Sequence, residues 1–270
     1  NKYKNNIQGN SGDDIIDGGN DYDIAIYSGN FSDYTFTISN KKVTVADNRS
    51  STNDGTDTLS NIEKLTFADK NALVTTKEVK GITSLGFKSE KVYSGKSDTY
   101  KFYDLGSDKY GVETSNGIDE LTGASILKFD DKNMHLVNDV KATFDQVTGL
   151  NTDSGKMFRL YNASFKRLPD PDGLRYWIDK YSSGVDDLRA VASSFIASGE
   201  FKERYGNNVS DSSYVNTLYK NVLGRDADTG GLNYWLGQLN SGAETRYEVL
   251  LGFAESAENK ALFSEMTGFV

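Results

Sequence analysis

"GNSGDDIIDGGNDYDIAIYSGN", Gly9 to Asn30, crowds glycine, asparagine and aspartate around single aliphatic residues. So little apolar surface cannot build an ordinary core, and something besides side-chain packing must hold the stretch. Its period supplies the clue. Ile7, Ile16 and Ala25 recur every nine residues, as do Asp14 and Asp23, and Gly9 and Gly18. Repetition at a short fixed period predicts a stack of like units. Glycines admit the positive φ of tight loops, and a short x-apolar-x strand turns one aliphatic inward. The aspartates and loop carbonyls present hard oxygens that suit Ca²⁺.

The units "GNSGDDIID" and "GGNDYDIAI" resemble the nonapeptide of RTX (repeats-in-toxin) proteins, G-G-x-G-x-D-x-U-x with U apolar. The resemblance implies a β-roll in which calcium, ligated between successive turns, supplies folding energy. The candidate metal residues are Gly9, Ser11 and Asp14, then Gly18, Asn20 and Asp23, with Ca²⁺ as the expected cofactor. Two positions depart from the pattern: Asn10 replaces the second glycine of the first unit, and Asp21 the fourth-position glycine of the second. Upstream, Asn5 stands where another aspartate would fall. The stretch reads as the end of an array of about two repeats, enough for one or two ions. The alternative is a plain Asn/Gly/Asp turn loop between strands.

The rest of the chain sets the bounds. Its 270 residues suffice for two domains or three small ones, and 16 tyrosines and 14 phenylalanines argue against disorder. A net charge of −9 and pI near 4.8 disfavour nucleic acid and anionic lipid, and favour cations. With no cysteine and only His135, disulfides, thiolate zinc sites and histidine-rich metal chemistry are excluded. The longest apolar run, Val249 to Ala254, is far short of a membrane span. Opening on "NKYKNN", the chain is expected to be the carboxy-terminal part of something longer.

Beyond Asn30 the sequence alternates apolar and polar residues, with Asn40-Lys41 as a hairpin turn. Two β-rich modules follow one another. "YSGNFSDYTF" (27–36) matches "YSGKSDTYKF" (93–102) at an offset of 66 residues, from 27 to 93. "GTDTLSNIEKLTFADKN" (55–71) matches "GIDELTGASILKFDDKN" (117–133) at an offset of 62, from 55 to 117. These modules resemble the β segments that close RTX arrays in secreted bacterial proteins. For Asp57 and Asp119, capping of their own turn backbone is preferred over calcium ligation.

After Val140 the period becomes helical. Met157, Leu160, Tyr161, Ser164 and Phe165 follow i, i+3, i+4 spacing, as do Leu188, Val191, Ala192, Phe195 and Ile196, with Gly199 as a stop. "LYNASFKRLPDPDGLRYW" (160–177) aligns with "LYKNVLGRDADTGGLNYW" (218–235) at an offset of 58, from 160 to 218. This part resembles a helical domain family of unknown function that often follows RTX repeats, and the helical domain of phycobilisome linkers. "DADTGG" (226–231) has EF-hand-like positions one, three and six but lacks the glutamate at twelve, where Gly237 falls. Helix capping by Asp170 and Asp228 is preferred. Trp177 and Trp235 are expected to pack rather than to stack on sugars.

The fold class expected is α+β multidomain: a short RTX β-roll end with two β-rich modules, then an all-α helical repeat domain. The boundaries are 1–75, 76–141 and 142–270, the last holding repeats at about 158–205 and 216–263. Catalysis finds no support, with no H-E-x-x-H, no G-x-S-x-G and no cysteine nucleophile. His135 reads as a solvent-facing strand residue. The function expected is a non-catalytic, calcium-stabilised module of an extracellular surface-layer protein or adhesin. The resemblance implies export by type I secretion. Calcium ions are the expected partners, with self-assembly or cell-surface glycans beside them and no membrane span. Two alternatives stay open: the targeting tail of a secreted protease or lipase, and a sugar-binding module using Tyr176-Trp177 and Tyr234-Trp235.

Overall fold

The computed structural model describes residues 3–51, 53–84 and 89–270. Contacts divide the chain into two compact units, Asn1–Tyr93 with Tyr100–Lys128 and Ser264–Val270, and Ser94–Thr99 with Phe129–Phe263. The N-terminal part is β-rich and the C-terminal part helical, an α+β multidomain arrangement as the sequence predicts.

The nine-residue period becomes a coil. β1 (Asn6–Ile7) pairs in parallel with β3 (Ile24–Ile26), Ile7 opposite Ala25, while β2 (Ile15–Asp17) lies in a different sheet. One turn therefore takes two units, and successive units alternate between sheets. The next turn carries an inserted hairpin, β4 (Tyr34–Ser39) and β5 (Lys42–Asp47). Asn40 and Lys41, at φ 52° and 62°, make its two-residue turn, whose twist matches that of the strands. The coil then resumes: β6 (Thr56–Ser60) pairs in parallel with β2, and β7 (Lys64–Thr66) with β3. Ile16, Ala25, Leu59 and Leu65 point inward from the two sheets and share one core with Tyr27, Val43, Val45 and Phe67.

The departures from the glycine pattern keep its backbone. Asn10 (φ 70°) matches Gly19 (95°), and Asp21 (85°) matches Gly12 (110°), so both units bend alike. Asparagine and aspartate are the non-glycine residues that best tolerate positive φ.

A second copy of this topology follows β8 (Asn71–Val74). β9 (Val79–Ser84) pairs in parallel with β13 (Gly117–Glu120), which continues antiparallel to β12 (Lys109–Thr114) and β11 (Phe102–Gly106). That order repeats β2-β6-β5-β4. β10 (Glu90–Val92) pairs in parallel with β14 (Ile126–Lys128), as β3 does with β7. Even the register repeats. Ile15 faces Thr58, and Ser84 faces Glu120, which lies 62 residues beyond Thr58. β15 (Asn133–His135) carries His135 exposed, as expected.

The helical unit begins with a π-helical stretch, Leu136–Lys141, running into α1 (Ala142–Phe144). Its first repeat is α2 (Asp153–Phe165), α3 (Pro171–Ser182), α4 (Leu188–Ala197) and α5 (Gly199–Tyr205). The second is α6 (Asp211–Val222), α7 (Thr229–Ser241), α8 (Arg246–Ala254) and α9 (Ala257–Thr267). Every helix start recurs 58 residues on. The predicted inward residues Met157, Leu160, Tyr161, Ser164 and Phe165 are buried, as are Val191, Ala192 and Phe195. Gly199 does not stop a helix; it opens α5. The break is made by Ser198, extended at ψ 154°, whose hydroxyl accepts the Phe201 N–H and restarts the helix at once.

Candidate functional site

Loops leave the coil at both ends of β2, and each end buries carboxylates. At the first end, the loop before β2 (9–14) lies on the loop before β6 (53–55) and the first residues of that strand. The Asp14 N–H donates to Asp57 Oδ1 at 2.9 Å, the Thr58 N–H to the Asp14 carbonyl at 2.8 Å, and the Thr56 N–H to Asp13 Oδ1 at 2.7 Å. The loops approach so closely that a Cβ on Gly55 (φ 91°) would overlap the Gly12 carbonyl. A Cβ on Gly9 would lie 2.5 Å from Asp14 Oδ2. Asp57 is 1% exposed, while Asp14 Oδ2 is fully buried and accepts no hydrogen bond. Burial, with the Asp14 and Asp54 charges, pushes the Asp57 carboxyl upward. Burial and the Asp57 charge likewise hold the neighbouring Tyr27 hydroxyl protonated.

At the other end, the loop 18–23 lies between Asn5 and Glu63. The Asn5 N–H and side-chain amide donate to Asp23 Oδ1 at 2.7 and 2.9 Å, and the Asp23 N–H donates to Glu63 Oε2 at 2.7 Å. Asp23 is 0% exposed, and its Oδ2 is buried without a partner. A Cβ on Gly18 would overlap the Asn61 carbonyl and crowd Asp23 Oδ2. Glu63 is pushed up to about 7, chiefly by burial and further by the Asp23 and Asp21 charges. Asparagine at position 5, read as a lost repeat aspartate, satisfies one Asp23 oxygen instead.

Of the six sequence candidates, the structure sets Gly9 against Asp14 and Gly18 against Asp23. Ser11 and Asn20 are exposed in their loops, and Asp14 and Asp23 face opposite ends of β2 rather than each other. The aspartates' acidic neighbours, Asp57 and Glu63, were not among the candidates. Asp57 does not cap its own turn: it lies in β6, where the parallel pairing with β2 presents it to Asp14. Asp119 instead meets Lys91 Nζ at 3.3 Å. The duplication of the G-x-D-x-L turn was the signal for Asp57; Glu63 had none beyond its place one strand-loop later.

Two buried oxygens without donors are what a cation would satisfy. Among the described residues, no three acidic, histidine or cysteine side chains converge on one point. A calcium ion at either end would therefore draw most of its roughly six to eight oxygens from loop carbonyls.

In the helical unit, Asp170 and Asp228 cap α3 and α7, accepting the Gly173 and Gly231 N–H groups at 2.7 and 2.8 Å. Arg167–Glu200 and Arg225–Glu258 are matching paired contacts in the two repeats. Trp177 and Trp235 are half-buried against Phe195 and Phe253, whereas Tyr176 and Tyr234 are exposed.

A family described as a domain of unknown function (DUF4214) matches residues 192–263. No curated protein matches the chain. Among solved structures, the extracellular lipase LipA from Serratia marcescens is similar at 13% identity and a TM-score of 0.24, over 35% of this chain and 20% of the lipase. The chain thus spans about a fifth of that lipase's length, and a score this low establishes no shared fold. Among the described residues, no helix is long and apolar enough to cross a membrane.

Proposed function

We propose that this chain is a non-catalytic, calcium-stabilised part of an extracellular bacterial surface protein, its opening coil the end of an RTX β-roll. The observation that carries the reading is the pair of buried, unpartnered oxygens, Asp14 Oδ2 and Asp23 Oδ2, each in an equivalent loop of a nonapeptide unit. A parallel coil with two units per turn supports it. Without a cation, Asp14 against Asp57 and Asp23 against Glu63 bring like charges together away from water. Ca²⁺ would neutralise both pairs, and its binding energy would become folding energy. Low cytosolic calcium would leave the coil loose during export by type I secretion, and the higher level outside would close it.

Isothermal titration of the whole chain with Ca²⁺ tests this. An affinity of about 10⁻⁴–10⁻³ M is expected, the range of extracellular modules. Asp14→Asn and Asp23→Asn should each weaken it, and Mg²⁺ should substitute poorly. No binding at millimolar calcium, or equal affinity in all three proteins, would reduce the coil to a plain loop structure.

A second reading rests on Tyr176 and Tyr234, 52% and 54% exposed at the same place in the two helical repeats. Paired exposed rings offer faces to sugars. Binding on a glycan array, lost in Tyr176→Ala and Tyr234→Ala, would establish it.

A further inference from the structure

The two β copies can be matched position by position. Asp57 corresponds to Asp119 and Tyr27 to Tyr93 by sequence offset. Thr83 lies opposite Asp119 in the β9–β13 register, so it stands where Asp14 stands beside Asp57. In the first copy the Glu63 and Lys64 amides both donate to the Asp23 carbonyl; in the second, those of Ser125 and Ile126 both donate to the Ser89 carbonyl. Asp23 and Glu63 have therefore become Ser89 and Ser125. Of four acidic positions in the first copy, only Asp119 remains acidic in the second.

One gain accompanies the three losses. Ala25 lies opposite Leu65 in β3 and β7, and Lys91 lies opposite Leu127 in β10 and β14. Lys91 therefore stands at the position of Ala25, a methyl enclosed in the first copy's core, and carries a four-carbon stem there. Lys91 Nζ reaches Asp119 Oδ2 at 3.3 Å and stands 5.6 Å from the Tyr93 ring centre, while the Tyr93 hydroxyl donates to the same Oδ2 at 3.3 Å. A largely buried carboxylate needs a counter-charge. The second copy carries its own.

We propose that the second β copy has exchanged a metal for a lysine: the Lys91 ammonium is its resident cation, and calcium dependence is confined to the first copy. The second half of this statement rests on the calcium reading above; the first half does not.

Amide hydrogen exchange on the whole chain, in calcium and in chelator, tests both halves. In the wild type, chelation should lower protection of residues 14–26 and 56–66 by about tenfold or more, and change that of 90–93 and 117–120 by less than about twofold. Lys91→Met should lower protection at 90–93 and 117–120 with calcium or without it. Adding Asp119→Asn to Lys91→Met should restore much of that loss, because the stranded charge is gone. If Lys91→Met leaves 90–93 and 117–120 unchanged, or Asp119→Asn fails to rescue it, Lys91 is not the resident cation. If chelation exposes both copies of the wild type equally, the confinement fails. If calcium changes no amide anywhere, the calcium reading falls, while the Lys91–Asp119 pair is still judged by its two variants.

Discussion

Arg159 on α2 and Glu255 at the end of α8 tie the two helical repeats together. Arg159 Nε donates to Glu255 Oε1 at 2.9 Å and Nη2 to Oε2 at 2.8 Å. The guanidinium is 1% exposed, whereas the carboxylate is 29% exposed and also reaches Lys260 Nζ at 3.3 Å. The pair is thus asymmetric. Glu255→Ala leaves a buried cation with the Leu150 carbonyl but no counter-charge and should cost about 3 kcal/mol; Arg159→Met leaves a carboxylate that still has Lys260 and should cost about half as much. Urea unfolding followed by helical circular dichroism checks the order.

The two caps differ likewise. Both are about half exposed or more. Besides its cap bond, Asp170 accepts a short bond from the Tyr161 hydroxyl at 2.6 Å, whereas Asp228 accepts only a long one from Arg225 Nη1 at 3.4 Å. Asp170→Ala should cost about 2 kcal/mol and Asp228→Ala about 1. Equal melting temperatures for the two variants would show that the tyrosine bond adds nothing.

Trp177 and Trp235 pack on one face and leave the other partly open. Helical spacing places each tryptophan toward Phe195 or Phe253, and the rings do meet, with centres 5.1 and 5.4 Å apart. Spacing does not reveal how much of the ring solvent still reaches. Because both are half-buried, Trp177→Ala and Trp235→Ala should each cost about 2 kcal/mol rather than the roughly 3–5 of a fully enclosed ring. Chemical denaturation of the two variants measures this.

The coil was legible because its period appears in side chains and backbone alike: Ile16 and Ala25 point inward, and Asn10 and Asp21 keep glycine-like φ. The helical duplication was legible from the 58-residue offset, but that Arg167 meets Glu200 as Arg225 meets Glu258 is visible only in the structure. Asp57 and Glu63 were not legible, since 43 residues separate Asp14 from Asp57 and 40 separate Asp23 from Glu63. Their approach depends on parallel pairing across an inserted hairpin, and local turn rules have no access to such long-range pairing. Read locally, Asp57 is a turn residue; only β2 against β6 makes it a neighbour of Asp14.

Acid should loosen the first copy. Hydrogen bonding by Arg49, with the Arg49 and Asp54 amides, holds the Asp47 carboxyl at about 2 despite its burial. The folded value lies below the unfolded one, so this stabilisation is complete above about pH 4 and disappears as pH falls toward about 2. Asp47→Asn should melt below the wild type at neutral pH, and the gap should close over that acid window. A gap independent of pH would assign the loss to shape rather than charge.

Asp57→Asn gives the sharpest contrast, because its effect should change sign with calcium. In chelator, the Asp57 carboxyl is enclosed and pushed toward its protonated form by burial and further by the Asp14 charge. An asparagine of the same shape removes one charge and can still accept the Asp14 N–H through its side-chain oxygen, so the metal-free chain should melt higher by a few degrees. With calcium present the same change removes half the negative charge facing the ion. Affinity should fall, and with it the stabilisation that binding adds, which grows with the logarithm of calcium over Kd. Melting curves of wild type and Asp57→Asn, plotted against calcium, should therefore cross. Curves that stay parallel at every calcium concentration would mean that no cation comes between Asp14 and Asp57.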